Sequence, residues 1–201
     1  MVDFIAVLNY EHLDNGLFLT AFAKSLKKRN KRGLIIHEDS EYTERIIQTG
    51  VMRDEAVIRC YKDLNHRLVA LFADEGISTI GLNGFQKNLI KQEENTLKID
   101  FQTLKKLPNE PMILLSSLGL DITGKRTIPI SISKLAIILK EKLNVSHIDL
   151  FSVKENSEMI KNDFPKIVIP NSVDRSFQIE HIPESFKLLN DTIRIHDPNS
   201  F

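Results

Sequence analysis

A single cysteine, Cys60, stands among the 201 residues, so the chain can form no intramolecular disulfide. That usage suits a reducing compartment. Neither sign of charge is in excess: 27 Lys and Arg balance 27 Asp and Glu. Nucleic-acid binders carry a basic excess or a concentrated basic face. The one basic run, Lys24, Lys27, Lys28, Arg29, Lys31 and Arg32, reads as the solvated end of a helix, so no nucleic-acid partner is expected. No apolar run is long enough to cross a bilayer, and the opening MVDFIAVLNYEHLDNG has no basic n-region. The expectation is a cytoplasmic protein with no membrane partner. His12, His37, His66, His147, His181 and His196 keep no familiar ligand spacing with one another or with Cys60, so no metal is assigned. No two of the eight glycines are adjacent, and no other phosphate cradle is visible. There is no internal repeat, low-complexity tract or linker, and residues 1–201 read as one domain.

What is present alternates strand and helix. Phe4–Leu8 is a continuous apolar run and reads as a buried strand. Asp14 or Asn15 can cap the following helix, in which Phe18, Phe22 and Leu26 recur at helical spacing. Gly33 suits the chain reversal, and Leu34–Ile36 forms the second strand. Residues 41–48 form a short helix. A longer helix from Asp54 carries an apolar stripe of Val57, Tyr61, Leu64, Leu68 and Leu71, and Gly76 ends it. Strand 77–80 precedes "GLNG", a hairpin joins 87–91 to 96–100, and a short helix covers 101–107. "PMILLSSLGLDITGK" is a buried strand and the start of a long polar loop, after which Ser133 can cap the helix to Leu143. Residues 148–151 are a further strand. Beyond Val153 come strands at 167–169 and 193–195 and a short helix at 183–189. The pattern predicts an α/β fold, a largely parallel sheet covered on both faces.

Several of these segments resemble the amino acid kinase family, and its acetylglutamate kinase branch in particular. "LNHRLVALFADEGISTIGLNGFQKNLI", residues 64–90, resembles a helix carrying Val-Asn-Lys, a strand ending in Gly-Leu-Ser-Gly and a small hairpin. Asn65, Gly81, Leu82, Asn83 and Gly84 are the matching residues. "PMILLSSLGLDITGK" resembles the family's Pro-Val-(Val/Ile)-Ser-Ser-(Ile/Leu)-Gly strand and loop. The resemblance covers about residues 4–153, and faintly "DTIRI". It implies a three-layer α/β/α sandwich with a shortened C-terminal part. It divides the domain into a substrate-lobe-like part, 1–153, and a reduced nucleotide-lobe remnant, 154–201. It also implies phosphoryl transfer from ATP to a carboxylate, and a homodimer built on a helix and a sheet edge. The helix from Asp54 offers Ala56, Ile58, Cys60, Val69 and Phe72 outside its stripe, which need a second surface, in a partner or within the chain itself.

Phosphoryl transfer is catalysed mainly by positioning and charge neutralisation. The family supplies Lys-Gly-Gly after its first strand, His-Gly-Gly-Gly after its second, an Asn-x-Asn-Ala-Asp loop and a late lysine. Here Asn9 and Tyr10 follow the first strand. His37 remains after the second, but Glu38 and Asp39 replace the glycines, where two carboxylates repel an anion. Ile128, Pro129, Ile130, Ser131 and Ile132 fill the Asn-x-Asn-Ala-Asp region, and neither Lys154 nor Lys161 aligns with the late lysine. No catalytic residue and no cofactor are assigned. The leading expectation is a non-catalytic, acetylglutamate kinase-like protein. It would bind a small carboxylate through His37, Asn83, Gly84, Ser116 and Gly119, or a kinase-family protein partner. Asn83, Gly84, Ser116 and Gly119 also read as turn positions, and His37 as a structural residue. Two alternatives stand beside it: an active, divergent kinase of an acylated amino acid, and a structural subunit without a ligand. "SS" at Ser116–Ser117 lacks a Gly-x-Ser-x-Gly context, which argues against a serine hydrolase. Cys60, on a helix between Val57 and Leu64, reads as a small buried apolar residue.

Overall fold

The computed structural model describes residues 2–153, 165–199 and 201. Lys154 and Lys161 lie outside them. Eleven strands are described: β1 (Phe4–Leu8), β2 (Gly33–His37), β3 (Thr79–Asn83), β4 (Ile90–Glu93), β5 (Thr96–Ile99), β6 (Met112–Ser116), β7 (Leu118–Asp121), β8 (Arg126–Pro129), β9 (Ile148–Phe151), β10 (Lys166–Val168) and β11 (Ile193–His196). The helices are α1 (Gly16–Arg29), α2 (Tyr42–Gln48), α3 (Arg53–Asp74), α4 (Phe101–Lys105), α5 (Ile132–Leu143) and α6 (Arg175–His181). Seven strands form the main sheet in the order β10-β11-β9-β1-β2-β6-β3. All its pairings are parallel except β10 with β11. The mixed α/β fold with a mostly parallel sheet is the one that the sequence pattern predicts.

Strand periodicity divides the core. Phe4, Ala6 and Leu8 of β1 point to one face, where they pack with α1, α2 and α3. Ile5 and Val7 point to the other, with α5 and the segment around Ile182 and Phe186. Each face of the sheet is therefore covered, which is why β1, β2 and β6 are buried along their whole length and run apolar, up to His37 and Ser116 at the strand ends, rather than alternating. The stripe that α3 buries most deeply is Ala56, Cys60, Leu64, Leu68 and Phe72, spaced by four, with Tyr61 beside it. Val57 and Leu71 sit at its margins. Three of the five apolar residues assigned outside the stripe thus belong to this chain's own core, and only Ile58 and Val69 stay half-buried.

Several local readings are corrected. Gly33 does not reverse the chain. Asn30 does, in the left-handed conformation (φ 46°, ψ 39°). Gly33 opens β2, where a Cβ would come within 2.0 Å of the Phe4 ring. Asn15, not Asp14, caps α1 by accepting from the Phe18 N–H, while Asp14 accepts from the Tyr42 N–H. Ser131, not Ser133, caps α5, accepting from the Lys134 N–H. The long polar loop after β6 is a β-hairpin, β7–β8, which completes a second, four-stranded sheet in the order β5-β4-β7-β8. Backbone pairing across it, Leu118 with Pro129 and Gly119 with Ile128, outweighs its polar composition. Residues 183–189 hold only a 3-10 turn, Glu184–Phe186, and the sequence pattern does not mark the helix α6 before it. The basic run is not uniformly solvated. Arg29 lies over the rings of Phe4 and Phe201 and 3.5 Å from Asp149. Arg32 donates to the carbonyls of Pro108 and Pro111.

Candidate functional site

Three of the residues expected to bind a ligand end adjacent parallel strands in one register: His37 opposite Ser116, and Ser116 opposite Asn83. The three are buried and tied by hydrogen bonds within the protein. His37 Nδ1–H donates to the Glu38 carbonyl at 2.9 Å, which leaves Nε2 as the acceptor for Asn65 Nδ2 at 3.0 Å. Both ring nitrogens are thereby used in the neutral form. Burial holds the ring neutral, lowering its pKa to about 4. Ser116 Oγ donates to Asn83 Oδ1 at 3.0 Å. Next to it, Ser117 Oγ donates to the Tyr61 hydroxyl at 3.4 Å.

The two expected glycines are packing positions. A Cβ at Gly84 would fall 2.1 Å from the Leu118 carbonyl oxygen, and one at Gly119 would fall 2.7 Å from Ile130 Cγ1. Their missing side chains admit the second sheet, which closes over the ends of β3 and β6. All five residues are thus near one another, with protein atoms in the space above them.

The open cleft is elsewhere. The chain leaves β1 towards β2 on one side and leaves β9 towards β10 and β11 on the other. Where neighbouring parallel strands send their connections in opposite directions, a crevice opens outside their carboxyl ends. A cleft of about 830 Å³ lies there, bordered by Tyr10, Glu11 and His12 after β1 and by Ser152 and Val153 after β9. Asp14, the first turn of α1 and Glu41 complete the wall.

Its electrostatics are one-sided. Glu11, Asp14 and Glu41 face it, and none of the described lining residues is Lys or Arg. The Tyr10 phenol is pushed up by burial and then by the negative charge of Glu41, Asp39, Glu44 and Asp14. Between the ends of β1 and β2, the Glu38 carboxylate accepts from the Tyr10 N–H at 2.9 Å and from Asn9 Nδ2 at 3.3 Å. Burial nevertheless outweighs those donors and raises Glu38 to about 7. His12 is buried and stacked on Phe18 at 4.4 Å. Its Nε2 bonds the Ser152 carbonyl at 3.2 Å, so Nε2 carries the proton and Nδ1 is an acceptor. Nδ1 has no partner among the described residues. Burial lowers this histidine to about 4 as well. No group of His, Cys, Asp and Glu among the described residues could hold a metal ion.

Sequence reasoning passes over the cleft residues. The end of the first strand draws attention for the lysine and glycines it lacks. Nothing in the order of elements shows that β9, some 140 residues later, lies beside β1. Applying the strand-end rule to both "VLNYEHL" and "LFSV" is the available signal.

No protein-family model and no curated protein sequence matches the chain. Solved structures do. The isopentenyl phosphate kinase of T. acidophilum, solved as a product complex, is 10% identical with a TM-score of 0.62, over 98% of this chain and 92% of that one. The E. coli aspartokinase III, solved with aspartate and ADP, is 13% identical with a TM-score of 0.56, over 74% of this chain and 48% of that one. The N-acetylglutamate synthase of Neisseria gonorrhoeae, solved with coenzyme A and N-acetyl-glutamate, is 15% identical with a TM-score of 0.57, over 78% of this chain and 42% of that one. The chain therefore has the amino acid kinase fold.

Proposed function

We propose that this chain uses the amino acid kinase fold for binding rather than for phosphoryl transfer, and that its ligand is a small organic molecule bearing a positive charge. The carrying observation is the charge of the cleft. At the crevice outside β1 and β9, Glu11, Asp14 and Glu41 face the ligand space, while Glu38 and Asp39 at the adjoining end of β2 are pushed by burial towards their neutral forms. A nucleotide phosphate needs cations there beside backbone N–H groups, and none of the described lining residues is Lys or Arg. Carboxylates repel it, and they repel a small carboxylate for the same reason. An ammonium group instead gains charge-assisted hydrogen bonds from them.

The acetylglutamate kinase likeness belongs to this reading as well. It rests on the order of Asn65, "GLNG" and "SSLG" along the chain, while the family's phosphate-binding glycines and lysine have no counterparts in Asn9, Tyr10, Glu38 and Asp39.

Calorimetric titration tests the proposal, with MgATP, acetylglutamate and spermidine as separate probes. The expected result is heat of binding for spermidine alone, lost in the variant Glu11→Gln, Asp14→Gln, Glu41→Gln. Micromolar MgATP binding would overturn it and restore the divergent kinase.

A further inference from the structure

We propose that Ser152 and His181 form a nucleophile and its general base at the edge of this cleft, and that the protein transfers acyl groups from small esters to water through Ser152. The choice of ester rests on the cation-binding reading of the cleft. The nucleophile pair rests on separate geometry.

Ser152 follows β9 directly, at the crevice, and its backbone is pinned on both sides. Its N–H donates to the His196 carbonyl at 3.1 Å, and its carbonyl accepts from His12 Nε2–H at 3.2 Å. The residue borders the cleft, and its Oγ lies 2.8 Å from His181 Nδ1, closer than its other acceptor, the Glu180 carbonyl, at 3.5 Å. That is the separation at which a hydroxyl passes its proton to an imidazole. His181 ends α6, is 7% exposed and packs on the Phe177 ring at 4.7 Å. The Glu180 carboxylate is 3.7 Å from its Nε2. With the proton on Nε2, that N–H faces a negative charge and Nδ1 keeps its lone pair for the serine hydroxyl. An imidazolium formed during reaction would be stabilised by the same carboxylate. Gly16 and Leu17, in the first turn of α1, border the cleft too. N–H groups of a first turn have no intrahelical partner, and they carry the positive end of the helix dipole. The Asn15 side chain takes only that of Phe18. The cleft thus offers a nucleophile and donors for a developing oxyanion, with the base held against the nucleophile.

In the first half of the reaction, Ser152 Oγ bonds to the ester carbonyl carbon as its proton moves to His181 Nδ1. The carbon–oxygen bond to the alcohol breaks, and the alcohol leaves with that proton. Water then attacks the acyl-serine, gives a proton to His181, and the acid departs as Ser152 recovers its proton. Water is the only co-reactant. The three carboxylates select esters whose acyl or alcohol part is cationic or neutral and reject anionic ones.

The experiment uses the full chain. A fluorophosphonate reagent, followed by peptide mass spectrometry, is expected to label Ser152. Acetylthiocholine and p-nitrophenyl acetate are expected to be hydrolysed at rates that fall by roughly 10²-fold or more in Ser152→Ala and in His181→Gln. Circular dichroism checks that both variants fold. Ser152→Cys keeps a nucleophile at the site and is expected to be alkylated by iodoacetamide faster than Cys60, which is buried. Absence of label on Ser152, or equal ester turnover in wild type and Ser152→Ala, overturns the proposal. If spermidine still binds in that event, the binding reading stands without the nucleophile. If Ser152 is labelled but the Glu11, Asp14, Glu41 variant keeps the preference for the cationic ester, the pair stands and the charge reading fails.

Discussion

Glu38 and the buried His12 and His37 set opposite limbs of a pH profile. Glu38 is raised from 4.5 to about 7, chiefly by burial. A carboxyl raised in the folded state binds its proton more tightly there, so its contribution is full below pH 4.5 and is lost as pH climbs through 7. His12 and His37 are lowered from 6.5 to about 4 by burial. Their contribution is full above pH 6.5 and is lost as pH falls towards 4. Glu38→Gln keeps the acceptor for the Tyr10 N–H but removes the charge. The expected outcome is unchanged melting near pH 4.5 and a gain on the order of 3 kcal/mol at pH 8, since each tenfold change in proton affinity is worth about 1.4 kcal/mol. Melting curves of the variant and wild type at both pH values check it, and an equal difference at the two would refute it.

At the scale of elements, the contact between the two sheets is the point most exposed to mutation. It depends on Gly84 lying against the Leu118 carbonyl oxygen and on the 2.6 Å bond from the Ile90 N–H to the Gly84 carbonyl. Gly84→Ala forces backbone apart and is expected to cost about 1–3 kcal/mol, as overpacked cores do. Gly16→Ala, with nothing within 4 Å of the added carbon, is the control and should be neutral or slightly stabilising. Urea denaturation of the two variants decides, and an equal loss in both would mean that packing at Gly84 is not what holds the sheets together.

The β8 side of the contact can be tested similarly. Ile130 is 5% exposed and fills the space that Gly119 leaves, while Ile128 packs from β8. Replacing both by Asn puts amides into an apolar seam and is expected to cost about 2–5 kcal/mol. ADP release in a coupled assay should stay at background in that double variant. Turnover appearing there would mean that Asn9, Tyr10, Glu38 and Asp39 do not obstruct phosphate.

For the whole molecule, the homodimer remains a proposal, with narrower support than the sequence offers. Ala56, Cys60 and Phe72 are used inside the chain. What remains for a second copy is the half-buried Ile58 on α3, since Val69 packs on the core and against Gly81 of β3. Among the described residues β3 pairs only with β6 in the main sheet, so its other edge is open. Pairing two such edges about a two-fold axis would continue the sheet and cover α3 at once. Light scattering at micromolar concentration is expected to give twice the chain mass. Asn65 and Val69 back Gly81 of β3, so Ile58→Lys, which spares that contact, is the milder test and should halve the mass without unfolding. A monomer in the wild type ends the proposal.

Much of the fold is legible in the residues themselves. The unbroken apolar runs at 4–8 and 112–115 fit strands covered on both faces. The helical spacing of Phe18, Phe22 and Leu26 marks the face that α1 buries. Charge speaks locally only in part: Glu38 and Asp39 after β2 put two carboxyl groups where phosphate needs donors, but burial decides how far they are ionised. The polar segment 121–132 misleads because strand pairing is a property of two segments. Its residues become β-structure only with Leu118–Asp121 as partner and Ile130 seated on Gly119. The candidate site is less legible still. The cleft exists because β9 docks beside β1, and Ser152 meets His181 because α6 returns across the end of the sheet. Local chemistry fixed which segments must be buried and which titratable groups stand at each strand end. Tertiary structure alone decided which strand ends share a cleft, because adjacency in a parallel sheet is set by long crossovers that leave no mark on the residues they bring together.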